Sequence, residues 1–276
     1  MRIRTLSALI AVFAFIAIYW FFEIHGLMLL SFGVAFICVY EYSKLAFKTP
    51  QTPPTLKWSF QALCGLLVVA SVFMDVPTAA IAQAAVYFLA IVLLTVSRKG
   101  DLQPAFHYQG AGLMGLLYVG VFPSLAIRLL RLEDGDIWFF GLLAIVFAGD
   151  TMAYITGRFL GRRKLLEAVS PKKTIEGSIG GLLGSALAGV VIAQYAPFEL
   201  TSVLSTPAMV AVAIVSGAFA QIGDLVESML KRVAEVKDSG HIMPGHGGML
   251  DRLDGVLFAA PVYFSLVHLL LHFSES

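Results

Sequence analysis

The stretch KDSGHIMPGHGGMLDRLDG, residues 237–255, gathers Lys237, Arg252, Asp238, Asp251, Asp254, His241, His246 and a glycine-rich turn into one short segment of a largely apolar chain. Pro244 and the glycines 245, 247 and 248 form a loop whose backbone can take positive φ and turn N–H groups toward an anion; a tight turn between two helices fits the same residues. A helix starting just after them puts Asp251 and Asp254 at i, i+3 on one face near its N-terminus, with Arg252 between. Adjacent carboxylates repel unless a cation or a proton separates them. Upstream, in AQIGDLVESMLKR, Asp224, Ser228 and Lys231 fall at i, i+4 and i+7 on a helix, with Glu227 close by. A salt bridge from Asp224 to Lys231 or Arg232 is the simplest account of that stretch taken alone.

Hard oxygen ligands among basic residues suit a magnesium–phosphate site, because Mg²⁺ takes a few carboxylates and leaves phosphate oxygens and water to complete its octahedron. Asp224 and Asp251 form a candidate metal pair from two neighbouring helices, with Asp254 as a third ligand or a supporting partner. Asp150, in GDTMAYITGR, shares a helix face with Tyr154. It is either an active-site acid or a buried aspartate bonded to Tyr154 or another hydroxyl. Lys172, Lys173 and Thr174, in SPKKTIEG, are either binders of a polyphosphate or part of a basic patch on anionic lipid.

These residues need elements to hold them, and the composition says which. With 58% of 276 residues hydrophobic, 13% charged and a mean hydropathy of +0.84, the chain has too little polar surface for a water-soluble globule of its size. The reading is an all-α polytopic membrane protein. Apolar runs long enough to cross about 30 Å of hydrocarbon recur at 6–22, 27–43, 58–74, 78–97, 110–130, 137–156, 178–195, 207–226 and 255–273, which makes nine. The first is expected to be a retained helix, not a cleaved signal. A cytoplasmic N-terminus then places 17 of the 19 lysines and arginines inside and leaves only Arg128 and Arg131 outside. Both large polar loops, 157–177 and 227–254, face the cytosol on this reading.

One membrane domain is expected, with residues 1–135 mainly hydrophobic scaffold and 136–276 carrying the polar motifs. The segment GRFLGRRKLLEAVSPKKTIEGSIGG reads as a structured loop or a surface helix, interrupted at Pro171. Gly177, Gly181, Ser185 and Gly189 form a small-residue stripe suited to close helix packing. Pro123 and Pro261 are expected to kink spans five and nine. Cys38 and Cys64 read as small buried residues, and Glu41, at the end of span two, as a helix-end hydrogen-bonding residue. His268 and His272 have i, i+4 spacing without the HExxH glutamate, and His25 and His107 read as loop residues.

From Ser228 to Asp254, the pattern S-x-x-K-R, then K-D, then P-x-H-G-G-x-x-D-R-x-D resembles the signature of the phosphatidate cytidylyltransferases, or CDP-diacylglycerol synthases. The likeness extends upstream through QIGDLVES, SPKKTIEG and GDTMAYITGR, and departs from the common pattern at Met152, Ile175 and Gly255. The resemblance implies conversion of CTP and phosphatidic acid to CDP-diacylglycerol and pyrophosphate, with Mg²⁺ required and a second cation such as K⁺ allowed for. By matching position it implies Asp224 and Asp251 as metal ligands, supported by Asp254. It implies Lys172, Lys173, Lys231, Arg232, Lys237 and Arg252 at the triphosphate and lipid phosphate. Ser228, Asp238, His246, Gly247 and Gly248 would shape the pocket, and a homodimer is suggested. The expected partners are the two substrates and the bilayer, with no nucleic acid; in a bacterium the membrane would be the inner one. Two other readings use the same groups: a CTP-dependent lipid kinase, and a cation-coupled transporter with Asp150, Asp224 and Asp251 along an ion path.

Overall fold

A computed structural model describes residues 2–48, 52–74, 81, 85–87, 89, 102–195, 205–242 and 247–274. Among them, seven helices are long and apolar enough to cross a membrane. The fourth expected span, 78–97, lies largely outside the described residues. The chain divides into two compact units, residues 1–127 with 230–252, and residues 128–229 with 253–276.

The first unit is built on α1 (Arg2–Ala46), whose helical course breaks at Glu23, where φ is 50°. The runs expected at 6–22 and 27–43 are the two arms on either side of that break. Beside α1 lie α2 (Pro54–Phe73) and α3 (Leu102–Gly115), the latter passing through a π-helical stretch, Leu116–Val121, into α4 (Phe122–Leu129). Pro123 follows that stretch after one residue, Phe122. Proline has no N–H to give, and the widened turn, in which Phe122 N–H donates to Leu117 O, absorbs the disturbance there.

The core of this unit is aromatic. Tyr42, Phe47, Phe60, Tyr87 and Tyr118 are all buried and meet mostly edge-on or tilted. Two of the polar tips find backbone acceptors: Tyr42 OH donates to Ala111 O at 2.6 Å and Tyr87 OH to Tyr108 O at 2.8 Å. Cys38 and Cys64 are buried thiols, as their positions suggested.

The second unit contains α5 (Gly135–Leu160), a two-stranded hairpin of β1 (Lys164–Leu166) and β2 (Ser170–Thr174), and α6 (Ile175–Tyr195). It also holds most of α7 (Thr206–Val233) and of α8 (Leu250–Ser274), which runs unbroken in helical assignment through Pro261. The expected small-residue stripe is packing surface. A methyl on Gly184 would stand 2.7 Å from Ala148 O, one on Gly149 2.6 Å from Ser185 Oγ, and one on Gly189 2.7 Å from Ala213 Cβ. Ser185 Oγ donates to Ile145 O at 3.1 Å, and Ser178 and Gln221 hydrogen-bond between α6 and α7. The polar segment after α5 is the antiparallel hairpin, pairing Lys164 with Thr174 and Leu166 with Ser170, and not a surface helix. Pro171 is tolerated because a two-stranded ribbon is all edge.

Candidate active site

In the second unit, three sequence segments converge on Asp224. Gly161 ends α5 in an extended conformation, and the amides of Arg162 and Arg163 then donate to the Glu176 carboxylate, at 2.9 Å for Arg162. This ties the base of the hairpin to the first turn of α6. Thr174 caps that helix: its Oγ1 accepts the Gly177 N–H at 3.1 Å, and its side chain is buried. Thr174, expected at the substrate, thus joins the strand that carries Lys172 and Lys173 to the start of α6.

Lys173 Nζ lies 2.6 Å from Asp224 Oδ2 on α7, with side-chain exposures of 25% and 38%. Asp150 on α5 is within electrostatic reach of both. Its proposed partner Tyr154 is engaged elsewhere, accepting a hydrogen bond from Arg158 at 2.9 Å. Ser228 Oγ stands 3.5 Å from Asp224 Oδ1, one helical turn away. Asp254 belongs to this neighbourhood through the main chain. A methyl on Gly223 would collide with Asp254 O, so the absence of a side chain beside Asp224 brings α8 into contact with α7. The Asp254 carboxylate itself accepts the Gly255 N–H at 2.8 Å. The simplest expectation for Asp224 was a salt bridge to Lys231 or Arg232; the partner seen in this unit is Lys173, from the hairpin.

Lys231 belongs to the first unit and pairs with Asp251, Nζ to Oδ1 at 2.7 Å, with side-chain exposures of 19% and 7%. Asp251 Oδ2 accepts three further hydrogen bonds, from Ser239 N, Ser239 Oγ and Gly248 N, each 2.8 Å. The last reaches back across three residues, as the acidic arm of a capping box does. Gly247 takes φ of +86°, and the loop's glycine-rich backbone directs this N–H at the chain's own carboxylate. Asp238 lies alongside, 3.5 Å from where a Gly247 methyl would be. Arg232, Lys237, Asp238 and Arg252 are exposed, and Lys172 is exposed on β2. His246 lies outside the described residues.

The loop starts from α7 by a left-handed turn at Glu235, φ 52°, closed by Val236 N–H to Lys231 O at 3.0 Å. Lys48 Nζ donates to Ala234 O at 2.5 Å. At the other end Glu41, 1% exposed, accepts the first amide of α8, Leu250 N–H, at 2.8 Å, and Ser239 Oγ at 3.3 Å. Glu41, Lys48 and Ser239 were not among the expected site residues. The available signal was an acidic side chain at the end of an apolar span, which calls for a partner.

Asp224 in one unit and Asp251 in the other each present the hard carboxylate oxygen that Mg²⁺ takes. Among the described residues no three Asp, Glu, His or Cys side chains form a cation cage, and Mg²⁺ needs none, since one or two carboxylates suffice when phosphates and water supply the rest. Asp224 and Asp251 each hold a lysine ammonium against a carboxylate oxygen, so each oxygen already attracts a cation.

The cytidylyltransferase family model matches residues 2–270. The chain is 33% identical over 264 residues to a phosphatidate cytidylyltransferase of Staphylococcus haemolyticus, covering 95% of this chain and 97% of that protein. It is 41% identical over 190 residues to the one from Synechocystis sp., covering 58% and 62%, and 35% over 183 residues to the one from Bacillus subtilis, covering 64% and 66%. The likeness thus extends into the N-terminal helices, where residue pattern alone had shown only hydrophobicity. Matched from its first helix to its last, the chain belongs to the cytidylyltransferase family.

Proposed function

We propose that the chain transfers the cytidylyl group of CTP to phosphatidic acid, releasing pyrophosphate and leaving CDP-diacylglycerol in the membrane. The observation that carries this reading is the near full-length match to proteins named for that activity. The two lysine–aspartate clusters supply its chemistry.

A phosphate oxygen of phosphatidic acid attacks the α-phosphorus of CTP. The new P–O bond forms as the bond to the bridging oxygen of the β-phosphate breaks, and the electron pair leaves with pyrophosphate. Because a lipid phosphate is already an anionic nucleophile, the residues mainly position reactants and neutralise charge. Lys172, Lys173, Lys231, Arg232, Lys237 and Arg252 take that second role on the triphosphate and the lipid phosphate. Asp224 and Asp251 would hold Mg²⁺, supported by Asp254, and the ion supplies further charge neutralisation on phosphate oxygens. Ser228, Asp238, His246, Gly247 and Gly248 shape the nucleotide's surroundings, Thr174 holds the lysine-bearing strand, and Asp150 tunes the field at Asp224. K⁺ as a second cation and a homodimer belong to the same reading.

The membrane arrangement proposed is nine crossings with the N-terminus and the reaction on the cytoplasmic side, in a bacterium the inner membrane. The positive-residue asymmetry supports the orientation. The length of α1, 45 residues broken at Glu23, or about 68 Å of helix, supports counting it twice. The experiment is turnover of purified protein in micelles with phosphatidic acid, Mg²⁺ and CTP labelled separately at the α- and γ-phosphates. Expected is α-label in lipid and γ-label in pyrophosphate. Transfer of γ-label to lipid, tested also with a lipid alcohol, would mean a kinase; no transfer by folded protein, with Na⁺ or H⁺ flux in vesicles, would mean a transporter.

A further inference from the structure

We propose that Glu41, on the membrane helix α1, is a positioning residue for Asp251. The inference rests on the reading of Asp251 as a metal-holding carboxylate and names what fixes it in place. The sequence separation is large, 209 residues from Glu41 to Leu250, yet the connection is direct. Glu41 Oε2 accepts Leu250 N–H at 2.8 Å and Ser239 Oγ at 3.3 Å, and the same Ser239 donates to Asp251 Oδ2 from both its amide and its hydroxyl, each at 2.8 Å. One buried oxygen therefore fixes both the residue before Asp251 and the residue that supplies two of its hydrogen bonds.

The glycines of the loop are explained by the same carboxylate. A methyl on Gly248 would stand 2.6 Å from Glu41 Oε2 and 2.7 Å from Gly240 N, and one on Gly240 2.7 Å from Glu41 Cδ. The backbone comes too close to Glu41 at both positions for a side chain to fit. Lys48, two residues past the end of α1, donates to Ala234 O at the loop's other end. The last turns of α1 and the residues just after it thus clasp the polar loop at its start and its finish. Residues that orient a metal-holding carboxylate through hydrogen bonds commonly affect affinity and rate without touching substrate.

The test uses the full chain in detergent, with Mn²⁺ binding read by electron paramagnetic resonance in the absence of substrate, and turnover read as kcat and KM for CTP. Glu41→Ala is expected to weaken Mn²⁺ binding and lower kcat by roughly 10- to 100-fold, with KM for CTP changed little. Glu41→Gln should stay near the parent, because both hydrogen bonds go to one oxygen that the amide retains. Should Glu41→Ala not fold, Glu41→Asp takes its place: the shorter chain withdraws the oxygen from Leu250 and Ser239, and about a 10-fold loss is expected. Parent-like Mn²⁺ binding in folded Glu41→Ala or Glu41→Asp overturns the inference, and so does a loss in Glu41→Gln as deep as in Glu41→Ala. Asp251→Asn is measured alongside. If it keeps both Mn²⁺ binding and turnover, the reading of Asp251 fails; if it loses them while Glu41→Ala does not, only the role of Glu41 fails.

Discussion

The two lysine–aspartate pairs are nearly equal in length, 2.6 Å for Lys173–Asp224 and 2.7 Å for Lys231–Asp251, but differ in everything around them. Asp251 is 7% exposed and holds three protein donors on its second oxygen. Asp224 is 38% exposed and, among the described residues, has beside its lysine a long contact from Ser228. A carboxylate saturated with fixed donors is a part of the loop's architecture as well as a candidate ligand. An open one can exchange its lysine for another cation with little else disturbed. The comparison separates what each residue does for folding from what it does for catalysis.

The largest effects should come from removing the carboxylate charges. Asp251→Asn and Asp224→Asn are both expected to lose on the order of 10²-fold or more in kcat, the scale of removing one electrostatic contributor from a reacting centre. Their thermal stabilities should diverge. Asp251→Asn leaves a mostly buried Lys231 ammonium without its counter-charge, a change that costs about 3–5 kcal/mol, whereas Asp224→Asn should stay within about 1 kcal/mol of the parent. Melting both variants in the same detergent checks this, and equal drops would erase the distinction.

Approaching from the lysine side sharpens it. Lys231→Met strands the Asp251 carboxylate and should destabilise by a similar few kcal/mol, with its melting point raised again if Asp251→Asn is added. Lys173→Met removes a partly exposed partner and should change stability by no more than about 1 kcal/mol while weakening turnover. A double-mutant cycle on each pair measures the difference. A coupling energy at Lys173–Asp224 as large as at Lys231–Asp251 would contradict the geometry.

Local chemistry was legible in the sequence where it depended on neighbours along the chain. The cluster from Lys237 to Gly255, the i, i+4 placement of Asp224 and Ser228, and the glycine stripe on α6 could all be read from spacing. What spacing could not carry were the partners. Asp224 takes Lys173 from a hairpin 51 residues upstream, and Lys231 takes Asp251 from beyond the loop, because the folded course of the chain decides, not proximity in sequence. The hairpin itself, three and five residues long, is too short for a period-2 pattern to emerge beside a proline. Glu41 was visible as a lone acid ending an apolar run, but its partner at Leu250 was not, since helices that meet across the chain leave no shared pattern. The N-terminal helices were read as scaffold; α1 supplies the clasp of the most polar loop.

A smaller effect should come from the other clasp. Glu176 fixes the hairpin base through the amides of Arg162 and Arg163 at an exposed position. Glu176→Ala is expected to raise KM for CTP several-fold, with kcat and Mn²⁺ binding nearly unchanged, because it loosens the strand carrying Lys172 and Lys173 without touching Asp251. That contrasts with Glu41→Ala, expected to act on kcat and the cation. If Glu176→Ala instead lowered Mn²⁺ binding, the two regions would not be functionally separable in this way.

The smallest effect is expected one residue beyond the signature, at Gly255. Glycine within a helix costs roughly 0.5–1 kcal/mol relative to alanine, so a replacement gains helix stability if the space permits. A methyl there would stand 3.2 Å from Val146 Cγ1, 3.3 Å from Ala220 O and 3.5 Å from Ala220 Cβ. The nearest of these is the end of a side chain on α5, which can shift by a few tenths of an ångström; the carbonyl of α7 cannot move so freely. The gain and the crowding nearly cancel, and Gly255→Ala should leave the melting point and kcat close to the parent's. Gly255→Ser adds a hydroxyl beside a carbonyl at hydrogen-bonding range, which should tip the balance toward slight stabilisation. A marked loss in both variants would mean that α5, α7 and α8 pack against this glycine with no slack.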